Sequence, residues 1–596
     1  MANQLYTKWG KQLDEAHILQ EYPRPQLQRE SYLNLNGRWD YAITPTEDIP
    51  ERYDGSILVP FSPETVLSGV QRQLQPDEYL HYRRYICLSR EFLQGRCLLH
   101  FGAADQSCTV YVNGEKAGGH VGGYLPFTLD VTEFVHTGEN ELYVCVQDLS
   151  DTSYHARGKQ KLERGGMWYM AQSGIWQTVW MECVPQCFIR ELKMDADYDH
   201  AALRLKVLLD PGDTQEDVCV KATVSFAGEY VTEKVFHAGK TASVPIPEMK
   251  SWTPETPDLY DLTVTAGEDT VTSYFGMRKL HVARDGKGIL RFFLNNRPYF
   301  HNGLLDQGYY PDGLYTAPSD EALQYDIRKM KELGFNMLRK HIKVEPDRWY
   351  YHCDRIGMLV WQDMVNGGEE YNMTYICTMP NVFMWTDRIV RDGKLKYRIF
   401  ARADKRGRDE YYRELKSMIR HLYNHPAIAV WVPFNEGWGQ FDAARATKLV
   451  RKLDPTRLID EASGWFDQHG GDMYSIHNYW RVLKIKPQKD RVVALTECGG
   501  YSFRMEGRSY CDEVYGYRKY YSKEELTDGV AGLWEKELIP ALADGLGATI
   551  YTQVSDIEEE VNGIVTWDRE EVKVLPEKMK EVNEKLMQQF ERTANE

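Results

Sequence analysis

From residue 9 to about 185, apolar and polar positions alternate over short stretches broken by turn residues: 36–42 (NGRWDYA), 96–101 (RCLLHF), 108–112 (CTVYV), 141–146 and 177–182. The stretch 108–112 runs straight into Asn113-Gly114, a strong local hairpin signal. No helical period interrupts the series, which predicts a β-sandwich. Residues 203–209 and 220–226 alternate again and are closed by Pro211-Gly212-Asp213 and Ala227-Gly228; a Thr253-Pro254-Glu255-Thr256-Pro257 turn precedes the last strands. A second, smaller sandwich of immunoglobulin-like size follows, without the Cys…Trp…Cys hallmark, and serves as a spacer.

From about residue 279 the period changes. Ser319 caps a helix whose apolar positions Leu323, Ile327, Met330 and Leu333 fall four, three and three apart before Gly334 stops it. Ser522 and Glu525 form a capping box for another helix, running to about residue 542. Strand and helix alternate over about three hundred residues, the pattern of a (β/α)8 barrel. Its strands are expected at 299–304, 335–339, 358–362, 427–434, 457–461, 473–476, 492–496 and 548–553. The fold class is therefore multidomain: a jelly-roll-like β-sandwich over 1–186, an immunoglobulin-like β-sandwich over 187–278 and a TIM barrel over 279–596. Two barrel strands are continuous apolar runs that end in acid and glycine, the fourth in Asn435-Glu436-Gly437 and the seventh in Glu497-Cys498-Gly499. Uninterrupted apolar runs suit strands covered on both faces, and the carboxyl ends of such strands are where barrels keep their chemistry. The connection 363–407 is too long for a plain crossover and is expected to wall a pocket, with Met379, Phe383 and Trp385 as apolar lining. The loop 148–174, rich in Gly and aromatics, is also long, but its residues alone assign it no chemistry.

Composition narrows the partners. At 596 residues the chain exceeds one core, and 42% hydrophobic with 27% charged residues is ordinary for a globular protein. A net charge of -16 and a pI near 5.6 argue against nucleic-acid or anionic-membrane surfaces and favour neutral over anionic substrates. The 39 Tyr and 15 Trp suit sugar faces, although sheets and cores also absorb aromatics. Eleven scattered cysteines without a CxxC read as reduced thiols, neither a disulfide framework nor a zinc ribbon. His421 and His425 have helical metal-ligand spacing but no third ligand, so no metal and no cofactor are expected. No basic-then-apolar leader and no charge-free membrane-length segment occur, and the expectation is a cytoplasmic chain with no membrane partner; homo-oligomerisation stays open.

Two carboxylates at a barrel mouth are the equipment of glycoside hydrolysis. With Phe275-Gly276-Met277-Arg278 at the domain junction, Leu294-Asn295-Asn296-Arg297-Pro298 before the first strand, NMLRKH at 336–341, Asp354-Arg355-Ile356-Gly357 and Asp568-Arg569, the chain resembles glycoside hydrolase family 2, the β-galactosidases, β-glucuronidases and β-mannosidases. The resemblance covers nearly the whole chain. It implies a retaining, exo-acting β-glycosidase with a carbohydrate substrate, Glu436 as acid/base and Glu497 as nucleophile, and Cys498 departs from the aromatic residue more usual there. Asn435 is expected to meet the sugar hydroxyl beside the reacting carbon and Arg339 to favour an ionised Glu497. His341, Trp361, Asp363, His477, Tyr479, Trp534 and Gln553 are the further candidates for substrate binding. The family's glucuronide cleavers carry an Asn-x-Lys motif where this chain has Glu560-Val561-Asn562, preceded by Glu558 and Glu559. With that cation missing and three anions in its place, a β-galactoside is the leading substrate and a β-glucuronide disfavoured, unless Arg339, Lys340 or the 363–407 loop supplies a substitute. β-Mannosidase and arabinosidase activities are further alternatives. The rival class is a non-catalytic carbohydrate-binding protein of the same architecture.

Overall fold

The computed structural model describes residues 4–212, 217–380 and 390–595. The alternating N-terminal stretches pair as two antiparallel sheets. One has four strands, in the order Leu33–Asn34, Val179–Val184, Arg96–Phe101 and Phe127–Asp130. The other has six, with Tyr79–Leu88 and Gly138–Gln147 at its centre. Their inward faces close a core that includes Trp39, Leu80, Leu99, Val110, Val144 and Met181. A sheet of three strands and one of four then form the smaller sandwich around Leu205, Ala222, Leu262 and Val271.

The barrel consists of β1 (His301–Asp306), β2 (Met337–Lys340), β3 (Leu359–Asp363), β4 (Ile428–Val432), β5 (Leu458–Ile459), β6 (Met473–Asn478), β7 (Val492–Gly499) and β8 (Leu546–Thr552). Neighbouring strands pair in parallel in the order β5-β4-β3-β2-β1-β8-β7-β6. The apolar run after residue 427 does not stay one strand. Pro433, with no N–H to give a ladder, ends β4, and Phe434–Asn435 resumes as a short strand pairing with Ala462–Ser463. This extension carries Glu436 into the mouth. Outside the barrel, Ser319 accepts from Ala322 N at the start of α1 (Asp320–Glu332), and Ser522 accepts from Glu525 N at the start of α2 (Lys523–Leu533), so both N-caps form, while the Glu525 carboxylate of the expected box accepts from Tyr521 N.

The domains are joined through buried polar contacts. The Arg278 guanidinium donates to Pro426 O and Ile428 O at the base of β4. Trp252 Nε1 donates to Asp354 O, and Tyr274 OH to the Asp354 carboxylate. A Cβ on Gly276 would sit 3.0 Å from Pro426 and 3.1 Å from Trp252, so this junction leaves little room for a side chain. The Phe275–Arg278 stretch thus works as a weld between the smaller sandwich and the barrel.

Candidate active site

The ends of β4 and β7 bring Glu436 and Glu497 together: an oxygen of each and a ring nitrogen of His477 all lie within 4.8 Å of one another. Glu436 adopts φ +50, a left-handed conformation that costs a side-chain-bearing residue and is held here by its N–H to Ser463 O at 2.9 Å. His477 Nδ1 lies 2.8 Å from Glu436 Oε1 and 3.5 Å from Glu497 Oε2. Its Nε2 is 3.0 Å from Ser463 Oγ, which fixes the ring plane. Trp438 Nε1 donates to the other Glu436 oxygen at 3.1 Å. Glu497 accepts from Tyr479 OH at 2.5 Å and from Arg339 Nη1 at 3.4 Å. Arg339 also makes a two-pronged pair with Asp363, at 2.9 and 3.0 Å, and donates to Asn435 Oδ1 at 2.8 Å. Because a guanidinium can only donate, the Asn435 oxygen must face it, and the amide NH2 is left to face elsewhere as a donor. A divalent ion among Glu436, Glu497 and His477 would have to replace these hydrogen bonds and occupy both carboxylates.

The charges around these groups set their protonation. Burial pushes the Glu436 carboxyl up, but the hydrogen bond and charge of His477, the Trp438 N–H and the Lys159 charge outweigh it and hold the carboxyl below its ordinary value. Burial pushes His341 down to about 4 despite Asp363 Oδ2 at 2.9 Å, so its imidazole is neutral at pH 7. Asp363 itself is pushed up by burial, yet Arg339 and His341 hold it below the ordinary carboxylate range. If Glu436 acts as the acid, the alkaline limb of kcat/KM follows its titration in the free enzyme. His477→Phe removes the main group that lowers that titration, so the limb is expected to move to higher pH, by about one unit for each ~1.4 kcal/mol of lost interaction. A pH–rate profile of the variant with an unmoved or down-shifted limb would show that His477 does not govern Glu436.

The 148–174 loop of the N-terminal sandwich reaches this mouth. Arg157 N and Gly158 N both donate to Asn366 O beyond β3, and Ala156 bridges to Gly367. Trp168 packs edge-on against Trp438 at 5.1 Å and stacks on Tyr371 at 6.0 Å, joining a cluster with Ile376 and Phe400 from the long third connection. That connection therefore walls the site. Met379 is 40% exposed, while Phe383 and Trp385 lie outside the described residues. On the opposite wall Tyr479 stacks on Tyr517 at 4.1 Å, and Trp480 meets Tyr517 edge-on. The glutamates at 558–560 are all engaged. Glu558 pairs with Arg164 at 3.0 Å, Glu559 accepts from Gly166 N at 2.7 Å and Glu560 from Tyr169 OH, so the run holds the sandwich loop against the barrel.

Several sequence candidates lie elsewhere. Trp361 points into the barrel one layer below Asp363, fully buried, with Nε1 on His301 Nδ1 at 2.9 Å and its ring against Phe292 of the hairpin beneath the barrel. It fills the interior and is not at the mouth, because residues two apart on a strand share a face but differ in depth. Trp534 is on the helical layer, wholly buried against Phe335 and Tyr551, with Nε1 donating to Asn583 Oδ1 at 2.8 Å. Gln553 follows β8 but is wholly buried, its amide accepting from Gln307 and donating to Asn562, and Asp363 is likewise enclosed by Arg339 and His341. These two brace the site from behind. Cys498 is buried beside Ile550 O, and burial pushes its thiol up to about 12. His421 and His425 each face a different carboxylate, Asp347 and Asp354, at 2.7 Å. Trp168, Tyr371, Trp438 and Lys159 escaped the sequence reading. The length and aromatic content of the 148–174 loop were the available signal for two of them, and Trp438, two residues past Glu436, was the nearest to being seen.

Models of three domains of one family match the chain: the glycosyl hydrolases family 2 sugar binding domain over residues 62–185, glycosyl hydrolases family 2 over 187–278 and the family 2 TIM barrel domain over 291–489. A putative beta-glucuronidase of Formosa agariphila is 27% identical over 79% of this chain and 56% of its own length. A beta-galactosidase of Leuconostoc mesenteroides is 27% identical over 66% of this chain and 36% of its own. The chain thus spans about half or less of the length of these curated relatives. The solved structure of a beta-glucuronidase from an uncultured Clostridium sp. superposes with a TM-score of 0.73 at 19% identity, covering 94% of this chain and 99% of the other, and shares the fold.

Proposed function

The chain belongs to glycosyl hydrolase family 2, and from that membership we propose that it is a retaining, exo-acting β-glycosidase that hydrolyses a terminal sugar by double displacement. Glu497 is the nucleophile and Glu436 the acid and then the base. The observation that carries this reading is the separation of the pair. One oxygen of each lies within 4.8 Å of the other, a close approach in keeping with the ~5–5.5 Å between carboxyl groups of retaining enzymes. In the first step Glu497 attacks the anomeric carbon while Glu436 protonates the departing oxygen. In the second, Glu436 takes a proton from water, which attacks the same carbon and frees Glu497. Asn435, oriented by Arg339, donates to the sugar hydroxyl beside the reacting carbon, and Tyr479 and Arg339 position the nucleophile.

The sugar is a separate question. The preference for a neutral β-galactoside rests on a missing cation and three nearby anions, but all three acids engage the sandwich loop. Relatives bearing beta-galactosidase and beta-glucuronidase names support either choice. Nitrophenyl β-galactoside, β-glucuronide, β-mannoside and α-L-arabinoside form the deciding panel. Proton NMR of the first product from whichever is cleaved is expected to show the substrate's own anomeric configuration. Inverted product would reject the double displacement, and sugar binding without turnover on any member would support the non-catalytic alternative.

A further inference from the structure

Four cations near the mouth that could meet an acidic sugar are already committed. Arg339 is held by Asp363, Glu497 and Asn435, and Lys340 Nζ lies 2.8 Å from both Asp306 and Glu345. Lys343 is paired with Glu345, also at 2.8 Å, and Arg157 donates to Gly368 O. Lys159 differs. It is half-buried, and among the described residues its ammonium has neither an ion pair nor a hydrogen bond; its nearest aromatic face is Tyr169, 5.7 Å from Nζ to ring centre.

The backbone that carries Lys159 is fixed against the barrel. Gly158 N donates to Asn366 O at 3.1 Å, Tyr169 N donates to Lys159 O at 2.9 Å, and Gln160–Lys161 pairs in parallel with Tyr169–Met170. Gly158 has φ +61, and a Cβ there would stand 3.2 Å from Ile342 O, so the segment passes beside His341-Ile342 at the end of β2. The Lys159 charge lowers the titration of both Glu436 and His341, which agrees with an ammonium at the mouth between β2 and β4.

We propose that Lys159, carried by the N-terminal sandwich rather than by the barrel, is the specificity-determining residue that receives a carboxylate on the terminal sugar, making the preferred substrate a β-uronide. The proposal rests on the reading of Glu436 and Glu497 as a glycosidase pair. The mouth holds two carboxylates that oppose an anionic sugar, and a uronate entering it sheds water that a cation must replace. A lysine whose ammonium has no ion pair or hydrogen bond among the described residues supplies that replacement without breaking an existing ion pair. Its arrival from another domain explains why the barrel's own segment at 560–562 has no lysine.

Wild type, Lys159→Met and Lys159→Arg are compared on nitrophenyl β-glucuronide, β-galacturonide and β-galactoside. Wild type is expected to prefer a uronide. Lys159→Met should lower the uronide-to-galactoside ratio of kcat/KM about a hundredfold or more, chiefly through KM, and Lys159→Arg should restore part of it. Loss of the charge also moves the alkaline limb of the pH profile upward on every substrate through Glu436, which the ratio cancels. An unchanged ratio, or a wild-type preference for the galactoside, overturns the proposal. Calorimetric titration with free D-glucuronate and D-galactose separates the two readings. If no glycoside is cleaved but glucuronate binds wild type and not Lys159→Met, the glycosidase reading fails and the lysine site stands. Equal binding by both proteins removes the site.

Discussion

Glu497→Gln is expected to lower kcat by on the order of 10⁴-fold or more on every cleaved glycoside, because in the proposed mechanism the covalent intermediate forms on its carboxylate. Glu436→Gln is expected to behave differently. Its loss, about 10²–10⁴-fold on poor leaving groups, should shrink with an activated aryl leaving group that needs no proton, and azide should restore the second step by attacking without a general base. The product of that rescue is a β-glycosyl azide. The geometry supports the division of labour: Glu497 is engaged by Arg339 and Tyr479, donors that position an attacking carboxylate. Glu436 instead faces His477 and Trp438 on the more open side of the mouth. Should azide and activated aryl glycosides rescue Glu497→Gln by a retaining route while leaving Glu436→Gln inert, the two roles are exchanged.

Arg339→Met is expected to cost both activity and stability, the latter by about 3–5 kcal/mol at pH 7, because it takes from the fully buried Asp363 its one cationic partner and leaves only His341 and the Ile342 N–H. The pH dependence has a definite sign. Burial raises the Asp363 carboxyl but Arg339 and His341 lower it further, so its folded value lies below the unfolded one. Its contribution is therefore complete above the unfolded carboxyl value, ~3.9, and is lost as pH falls through the lower folded value. The stability gap between wild type and variant should accordingly be wide at pH 7 and narrow toward pH 4, where the stranded carboxylate takes up a proton. Adding Asp363→Asn to the variant should recover part of the stability and none of the activity, since Asn435 and Glu497 still lack their guanidinium. Denaturant midpoints at the two pH values, with kcat/KM alongside, test this. A constant gap would mean that the pair is not what Arg339 contributes.

Much of this was legible from local pattern. The change from period two to alternating strand and helix marked where sandwiches give way to barrel, and the eight strand positions fall on or beside the observed β1 to β8. The helix caps at Ser319 and Ser522 depend on residues within three positions, so sequence alone could place them. Where reading failed, the cause was depth or distance. Trp361 and Trp534 sit near the sites their neighbours occupy in sequence, yet one lies a layer too deep and the other on the helical side of the wall. Position near a strand end does not specify which layer a side chain fills.

The chain by itself determined that two glutamates end apolar strands, because burial on both faces of a barrel strand leaves an uninterrupted apolar run that an acid closes visibly. Only the tertiary structure decided what surrounds them. In sequence the acidic run at 558–560 counts as three anions facing a substrate, but its partners Arg164, Gly166 and Tyr169 lie almost four hundred residues away. Lys159 is likewise unremarked in a polar loop, and it gains meaning only when backbone hydrogen bonds to Asn366 bring it to the mouth of the barrel. Electrostatic partnership depends on separation in space, and between domains that separation is set by packing rather than by any spacing along the chain.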